Sequence, residues 1–297
     1  MKLILPLFMF ISTALQGFLY DPHVEAGMGW RRDDLEWSIG GDAPMPKTLS
    51  ELKWKNVQSL DFTAEAHMAL LCYYVEASGN LGLIFSGKNT DTDFFAPGDV
   101  MRSKSSANRG QVWDVSGGFG FYPGASIGAF HYITLAGWAW HGQNLHMKEG
   151  TVVMVQNQPM DVDIEGLDSR YFARWEGPWL GIAMGCWVSE DTDLRFRFEY
   201  HNVDYRAEGH WNLRQDLVRP FKHKAHGYGF KGTLGFRTLF CDCLEAGLDF
   251  NGSLFRTRKG VDKVYVLIDG VEYTWEARLN KVEWASASLI ATLGLQF

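Results

Sequence analysis

Long stretches of strict alternation between apolar and polar residues constrain the fold of this chain more than any other feature. Residues 59–70, with the sequence SLDFTAEAHMAL, place an apolar side chain at every even position and polar or charged ones at nearly every odd position. Residues 73–87, 194–203 and 244–255 follow the same pattern. A period of two predicts β-strands with one apolar and one polar face.

The length of these runs separates two kinds of β-protein. A strand of a soluble sandwich usually has about five or six residues, whereas these runs extend over ten or more. A strand that crosses a membrane in a β-barrel needs about 9–11 tilted residues, with lipid outside and a polar lumen inside. Arg195, Arg197 and Glu199 lie on the polar face. Charged side chains there would be unfavourable in a sandwich core but are compatible with a water-filled lumen. We therefore predict an all-β, antiparallel transmembrane barrel.

Counting the segments predicts ten strands, joined alternately by short turns and long polar loops. The strands are expected near residues 30–41, 49–70, 73–87, 110–122, 125–146, 168–188, 193–207, 225–240, 243–257 and 278–297. Short turns are expected near 71–72, 123–124, 189–192 and 241–242, and long loops near 42–48, 88–109, 147–167, 208–224 and 258–277. An even strand number with short periplasmic turns and longer outer loops is typical of bacterial outer-membrane barrels, whose loops lie at the cell surface.

Both ends of the chain carry export features. Residues 1–17 combine Lys2, an apolar run and small residues, which predicts a secretory signal peptide cleaved after Ala14 or Gly17. Residues 18–297 then form a single barrel domain. The chain ends in an alternating segment with a terminal aromatic residue, Phe297, which resembles the signal that the barrel-assembly machinery reads in outer-membrane proteins. The expected environment is outer-membrane lipid and lipopolysaccharide.

Composition excludes some partners. The formal net charge is −7 and the isoelectric point is near 5.7, so a nucleic-acid partner, which requires a basic face, is not expected. The spacing of Cys241 and Cys243 specifies no metal site, and we predict no metal and no cofactor. Contact with lipopolysaccharide phosphates remains compatible with basic residues near the outer rim.

Two segments resemble the omptin family of outer-membrane proteases. Residues 50–68, SELKWKNVQSLDFTAEAHM, are similar to the second omptin strand, and residues 169–187, SRYFARWEGPWLGIAMGCW, are similar to the sixth. The segment LSELKWK at residues 49–55 also resembles protochlamydial and chlamydial outer-membrane proteins. Both resemblances imply an outer-membrane barrel, and the first implies ten strands of the omptin type.

The omptin resemblance also implies an active site. It assigns the family's aspartate pair to Asp91 and Asp93, and its Asp/His couple to Glu208 and His210, with Glu208 replacing the family aspartate. Such groups would activate a water for attack on a peptide carbonyl, the two half-sites facing each other across the lumen. Glu36 is the expected substrate-binding residue, and the substrates would be peptides or host proteins.

Non-enzymatic functions remain open beside the endopeptidase. The barrel could be a small porin, an adhesin or an envelope-structural protein; a secreted soluble barrel or lectin is a third class. The lumen face carries Asp61, Glu65, His67, Glu76, Arg195, Arg197, Glu199 and His201. Charges of both signs on that face predict ion pairs that fill a narrow lumen.

Overall fold

The computed structural model describes residues 19–41, 47–70, 73–96, 99–121, 130–241 and 243–296. The predicted signal peptide and Phe297 lie outside these ranges. These residues form twelve strands: β1 (Leu19–Gly40), β2 (Ser50–Leu70), β3 (Tyr73–Ala96), β4 (Asp99–Ser106), β5 (Gly110–Phe121), β6 (Phe130–Val155), β7 (Gln158–Ser189), β8 (Thr192–His210), β9 (Phe221–Cys241), β10 (Leu244–Thr257), β11 (Gly260–Ile268) and β12 (Val271–Gln296). Within the described ranges, no helix has the length and apolar character needed to cross a membrane.

The strands close into a ring with ten positions. All neighbours pair antiparallel, and β1 pairs with both β2 and β12, which closes the sheet on itself. Strands β4 and β5 both pair with β3 and β6, so they share one position, interrupted at residues 107–109. Strands β10 and β11 share another position between β9 and β12. The predicted ten-stranded antiparallel barrel is confirmed.

Three of the predicted long loops are wrong, because they are hairpins of paired strand. Residues 88–96 and 99–106 belong to β3 and β4, residues 147–167 form the outer parts of β6 and β7, and residues 258–277 contain all of β11 and the start of β12. Above a membrane the outer face of a strand meets water instead of lipid, so its outward side chains need not be apolar although the backbone ladder continues. Two hairpin tips carry positive φ at both central residues, Gln156–Asn157 and Asp269–Gly270, as two-residue hairpins require.

The outer face carries an apolar belt near the end of the barrel where Leu19 and Gln296 lie. Each ring position contributes exposed large apolar side chains, among them Met28, Leu60, Leu83, Phe119, Trp138, Leu180, Phe198, Leu234, Phe250 and Leu293. Such a band is the lipid-facing surface of a transmembrane barrel. The hairpins continue beyond the belt at the opposite end, so that end is the cell-surface side.

The lumen has two layers of different chemistry. Toward the periplasm, buried charged side chains line it. Toward the cell surface, large apolar side chains fill it, and we call this set the aromatic plug: Trp37, Trp54, Tyr171, Trp175, Tyr205, Phe221, Phe255 and Trp284, all buried. Side chains alternate between the two faces of a strand, and the register shift between Lys55 and Gln58 is what turns Trp54 inward although Leu60, of the same parity, faces outward.

Candidate functional site

Asp91 and Asp93 lie on the lumen side of the cell-surface rim. Asp91 is paired with Leu52, which is fully buried, and Asp93 is paired with Ser50. Residues paired directly across antiparallel strands point to the same face, so both carboxylates face inward. Asp91 Oδ1 is buried and has no hydrogen-bond partner among the described residues. The resemblance placed these two residues on the lumen side of the rim, and the structure agrees with that placement.

Burial and mutual repulsion alter the ionisation of this pair. Burial and the neighbouring charge of Asp93 raise the pKa of Asp91 to about 7. Burial also raises the pKa of Asp93, while a hydrogen bond with Ser50 and the positive charge of Arg214 oppose that rise. Arg214 belongs to residues 211–220, the connection between β8 and β9. Two close carboxyl groups with raised pKa values can share one proton near neutral pH.

Glu208 and His210 are on the outer face of the barrel. Even-numbered residues of β8 share the face of Phe198 in the apolar belt. Glu208 is paired with Phe172 and Lys222, its carboxylate lies 3.0 Å from Lys222 Nζ, and His210 packs edge-on against Phe172. The expectation that these residues face the aspartate pair across the lumen is therefore wrong in geometry. A shift of one residue moves a side chain to the opposite face of a sheet.

The inward positions of β8 and its following loop carry no acid–base couple opposite the aspartates. Tyr171, paired with Gly209, stacks on Trp54, which is paired with Asn89, with ring centroids 5.1 Å apart. The Gly209 pair thus lies level with the Asn89 pair. Asp91 lies two residues beyond Asn89 toward the cell surface, and Trp211 lies two residues beyond Gly209. Trp211 is therefore the residue at the level of Asp91. Glycine and tryptophan cannot supply the general base that the resemblance implied.

Glu36 also faces outward. It is paired with Lys53 and Glu283, accepts a hydrogen bond from Lys281 Nζ at 2.6 Å, and lies 3.7 Å from Lys55 Nζ. Although partial burial acts in the opposite direction, the bond from Lys281 contributes to lowering the pKa of Glu36 to about 2. The side chain belongs to an ion-paired patch on the outer wall, so the structure does not bring it to the aspartate pair.

Sequence reasoning missed the aromatic plug. Its rings come from strands all round the barrel: the ring centroids of Trp175 and Tyr205 are 4.4 Å apart and those of Phe255 and Trp284 are 4.8 Å apart. At its centre the Tyr171 hydroxyl is 2.6 Å from the Tyr205 hydroxyl and 2.8 Å from His223 Nδ1. The sequence does contain an indication of the plug, because Trp, Tyr and Phe recur at the otherwise polar, inward-facing positions of the outer strand ends.

Ion pairs connect the lumen wall below the plug. Arg197 donates to Glu76 at 2.7 Å and to Glu199 at 2.5 Å, and His201 Nε2 lies 2.7 Å from Glu199. Arg195 donates to Glu245 at 2.9 Å. The predicted pairing of lumen charges is confirmed for these residues. A cavity of about 640 Å³ remains between them and the periplasmic strand ends.

Two further ion-pair groups complete this layer. Arg31 donates to Asp33 at 2.8 Å and to Asp114 at 2.6 Å. Arg237 bonds to both oxygens of Glu25 and of Asp249, at 2.6–2.9 Å. Bidentate guanidinium–carboxylate pairs of this type are geometrically specific, so they hold strands that are not direct neighbours, such as β1 and β9, at fixed separations.

Comparison with solved structures confirms the fold. The outer-membrane protease OmpT from Escherichia coli has a TM-score of 0.76 with this chain at 12% identity, covering 93% of this chain and 97% of that one. The outer-membrane protein OprG from Pseudomonas aeruginosa gives a TM-score of 0.35 at 11% identity, covering 94% and 97%. At this identity the likeness to OmpT shows the omptin-type barrel and not its activity.

Comparison at the level of sequence gives the family. No curated protein matches the chain significantly. The family model described as Protochlamydia outer membrane protein, Pom, matches residues 25–297, nearly the whole described barrel. The barrel, its apolar belt and this match place the protein in the bacterial outer membrane with its hairpins at the cell surface. The chain belongs to the Protochlamydia outer membrane protein family.

Proposed function

We propose that this protein is a closed, non-enzymatic barrel that anchors surface-exposed hairpins in the outer membrane. The observation that carries the proposal is the aromatic plug. Trp54 of β2 stacks on Tyr171 of β7, and His141 of β6 packs against Phe255 of β10 at 5.0 Å, so side chains from distant ring positions meet inside the lumen. A ten-stranded barrel is narrow enough for its interior to be filled by side chains.

The protruding hairpin of β11 and β12 supports a role in surface interaction. Val271, Tyr273 and Trp275 alternate along one face of it and are all exposed, together with Leu267 and Ile268 near the tip. Exposed apolar residues grouped above the membrane are typical of contact surfaces. An adhesin or envelope-structural function therefore agrees better with the chain than a porin function does.

Conductance measurements test the closed barrel. Purified protein reconstituted in planar bilayers should give no large, stable channels. A double variant, Trp54→Gly with Trp175→Gly, should raise conductance if the plug is the barrier. The matched control replaces two lipid-facing tryptophans, Trp138 and Trp140, and should stay closed. Large channels from the unmodified protein would contradict the proposal.

An endopeptidase is the second candidate, and the aspartate pair is the specific observation that favours it. Asp91 and Asp93 face the lumen rim, and the pKa of Asp91 is raised to about 7 by burial and by the charge of Asp93. A pair that shares a proton can hold and activate a water without a histidine. The substrates would be peptides or host proteins reaching the rim from outside.

Cleavage of a quenched peptide library rich in basic residues separates the candidates. Cleavage that is lost in Asp91→Asn and retained in His210→Ala would identify an acid-pair protease. Cleavage that is lost in both variants would indicate that the active site is the one implied by the omptin resemblance, with His210 brought to the aspartate pair by a rearrangement of the loops. If the barrel is closed and non-enzymatic, the unmodified protein should cleave the library no faster than the Asp91→Asn variant does.

Two envelope partners accompany either function. The basic residues of the outer-wall patch, Lys53, Lys55 and Lys281, stand above the belt where lipopolysaccharide phosphates lie, and point charges of this kind bind phosphate. The chain end at Phe297 supports delivery by the barrel-assembly machinery. Replacing the three lysines should reduce co-purified lipopolysaccharide, and removing Phe297 should reduce the yield of assembled barrel.

A further inference from the structure

A histidine and two glutamates converge at the periplasmic end of the lumen. Glu25 on β1 and Glu245 on β10 are both paired with Gly294 of β12, so they flank it on the same rung. His23, two residues before Glu25, lies over Gly294: a Cβ at Gly294 would meet His23 Cε1 at 2.7 Å and Nε2 at 2.8 Å. The missing side chain is therefore what admits the imidazole between the two carboxylates.

The ligand atoms of this cluster are close together and largely without partners. His23 Nε2 lies 3.8 Å from Glu25 Oε2 and 3.9 Å from Glu245 Oε1. Both His23 Nε2 and Glu245 Oε1 are buried and make no hydrogen bond among the described residues, the two residues being 5% and 7% exposed. Leaving a buried polar atom without a partner is unfavourable, so two such atoms that converge on one point favour a bound ligand.

The charge around the cluster requires a cation. Arg237 pairs with Glu25 and Asp249, and Arg195 pairs with Asp193 and Glu245. Four carboxylates therefore face two guanidiniums in the immediate surroundings of His23. Arg237 Nε is 3.4 Å from Glu245 Oε1, but its hydrogen bonds go to Glu25 and Asp249. The guanidiniums thus fix the carboxylates in place without neutralising them, as outer groups do around metal ligands.

We propose that His23 Nε2, Glu25 Oε2 and Glu245 Oε1 bind one divalent transition-metal cation, with Zn²⁺ the best match. An imidazole with carboxylates suits zinc and its neighbours, whereas Ca²⁺ and Mg²⁺ select oxygen ligands. Metal–ligand bonds of about 2.0–2.2 Å bring donor atoms closer than those seen here, so binding draws the three side chains together by a few tenths of an ångström. Water from the adjoining cavity completes the coordination.

His67 orients the imidazole. Its ring stacks on that of His23 with centroids 4.7 Å apart and 16° between the planes, because the two residues are paired between β1 and β2. Stacking restricts rotation of His23 about its side-chain bonds and keeps Nε2 directed at the glutamates. The cavity that the cluster lines also borders Trp187 and Gln296 at the periplasmic strand ends, so a metal would enter from the periplasm.

Metal titration of the folded barrel tests the site. The protein, stripped with EDTA in detergent micelles, is titrated calorimetrically with ZnCl₂ and, in parallel, with CoCl₂ while the visible d–d absorption of Co²⁺ is recorded. One equivalent of Zn²⁺ should bind, and Mg²⁺ and Ca²⁺ should not compete. His23→Gln and Glu245→Gln should each weaken Zn²⁺ binding by at least about 10–100-fold, the loss typical of removing even an outer-shell partner, whereas His226→Ala, whose side chain is 84% exposed elsewhere on the barrel, should not.

A structural role for the cluster predicts different results. If His23 is merely protonated between the two glutamates, the unmodified protein binds no Zn²⁺, and that result overturns the proposal. Binding that survives in both His23→Gln and Glu245→Gln also overturns it. Heat-modifiable migration on gels identifies folded barrel, and each variant is titrated only in that form; if His23→Gln does not fold, Glu25→Gln with Glu245→Gln serves instead. The site is independent of the proposed closed-barrel function.

Discussion

Trp175→Ala is expected to destabilise the barrel more than any single change outside the lumen. Trp175 is 0% exposed and packs against Tyr205, Phe255 and Trp284, whose ring centroids are 4.4, 5.7 and 6.2 Å away. A buried tryptophan removes about 150–250 Å² from water, worth ~4–6 kcal/mol at about 25 cal/mol per Å². The observed cost of such truncations is about 3–5 kcal/mol. Because paired strands hold the surrounding wall, the cavity cannot collapse, and we expect ~4 kcal/mol.

Urea unfolding of the barrel in detergent micelles measures this cost. The matched control is Trp275→Ala, a tryptophan that is 60% exposed on the β11–β12 hairpin, and it should change the free energy of unfolding by less than ~0.5 kcal/mol. Adding Phe255→Ala to Trp175→Ala should cost less than the sum of the two single changes, because the rings share one cavity. A loss below ~1 kcal/mol for Trp175→Ala, or an equal loss for Trp275→Ala, would refute the plug as a packed core.

Three further changes test other parts of the barrel. Because burial and Asp93 raise the pKa of Asp91 to about 7, ionisation of Asp91 opposes folding. The free energy of unfolding should therefore fall as the pH rises from about 4 to 7, by at most ~4 kcal/mol. Asp91→Asn should remove this pH dependence in unfolding titrations. Arg237→Met leaves two buried carboxylates unpaired and should cost about 3–5 kcal/mol, whereas Arg256→Met at an exposed pair should cost less than ~1 kcal/mol in the same assay. A Cβ at Gly137 would overlap the Gly117 carbonyl and the Trp179 ring, so Gly137→Ala should reduce stability by about 1–3 kcal/mol; Gly252→Ala, with open space around it, should not.

The membrane-spanning part of the fold was predictable because lipid enforces alternation. Residues 59–70 and 194–203 must present apolar side chains outward and polar ones inward, and that pattern survives in the sequence. The surface hairpins were not predicted, since beyond the bilayer no lipid requires the outward side chains to be apolar. One signal was overlooked: Asp269–Gly270 between two alternating runs is a strong indicator of a two-residue hairpin turn.

The candidate sites depended on which face each side chain occupies. The resemblance placed Asp91 and His210 in corresponding outer segments, yet register puts the first inside the barrel and the second outside. The cluster of His23, Glu25 and Glu245 joins residues more than two hundred positions apart through Gly294, and no local spacing indicates it. Spacing motifs identify sites only where the ligands lie close in sequence.

The sequence by itself determined a ten-stranded outer-membrane barrel with a charged lumen, because lipid outside and water inside require a period-two pattern along each strand. The tertiary structure alone decided that aromatic rings pack together in the outer part of the lumen, that Glu208 and Glu36 face outward, and that one histidine meets two glutamates near the periplasm. These outcomes rest on strand register and ring closure. A single-residue shift in pairing exchanges inside for outside while leaving the pattern along each strand unchanged.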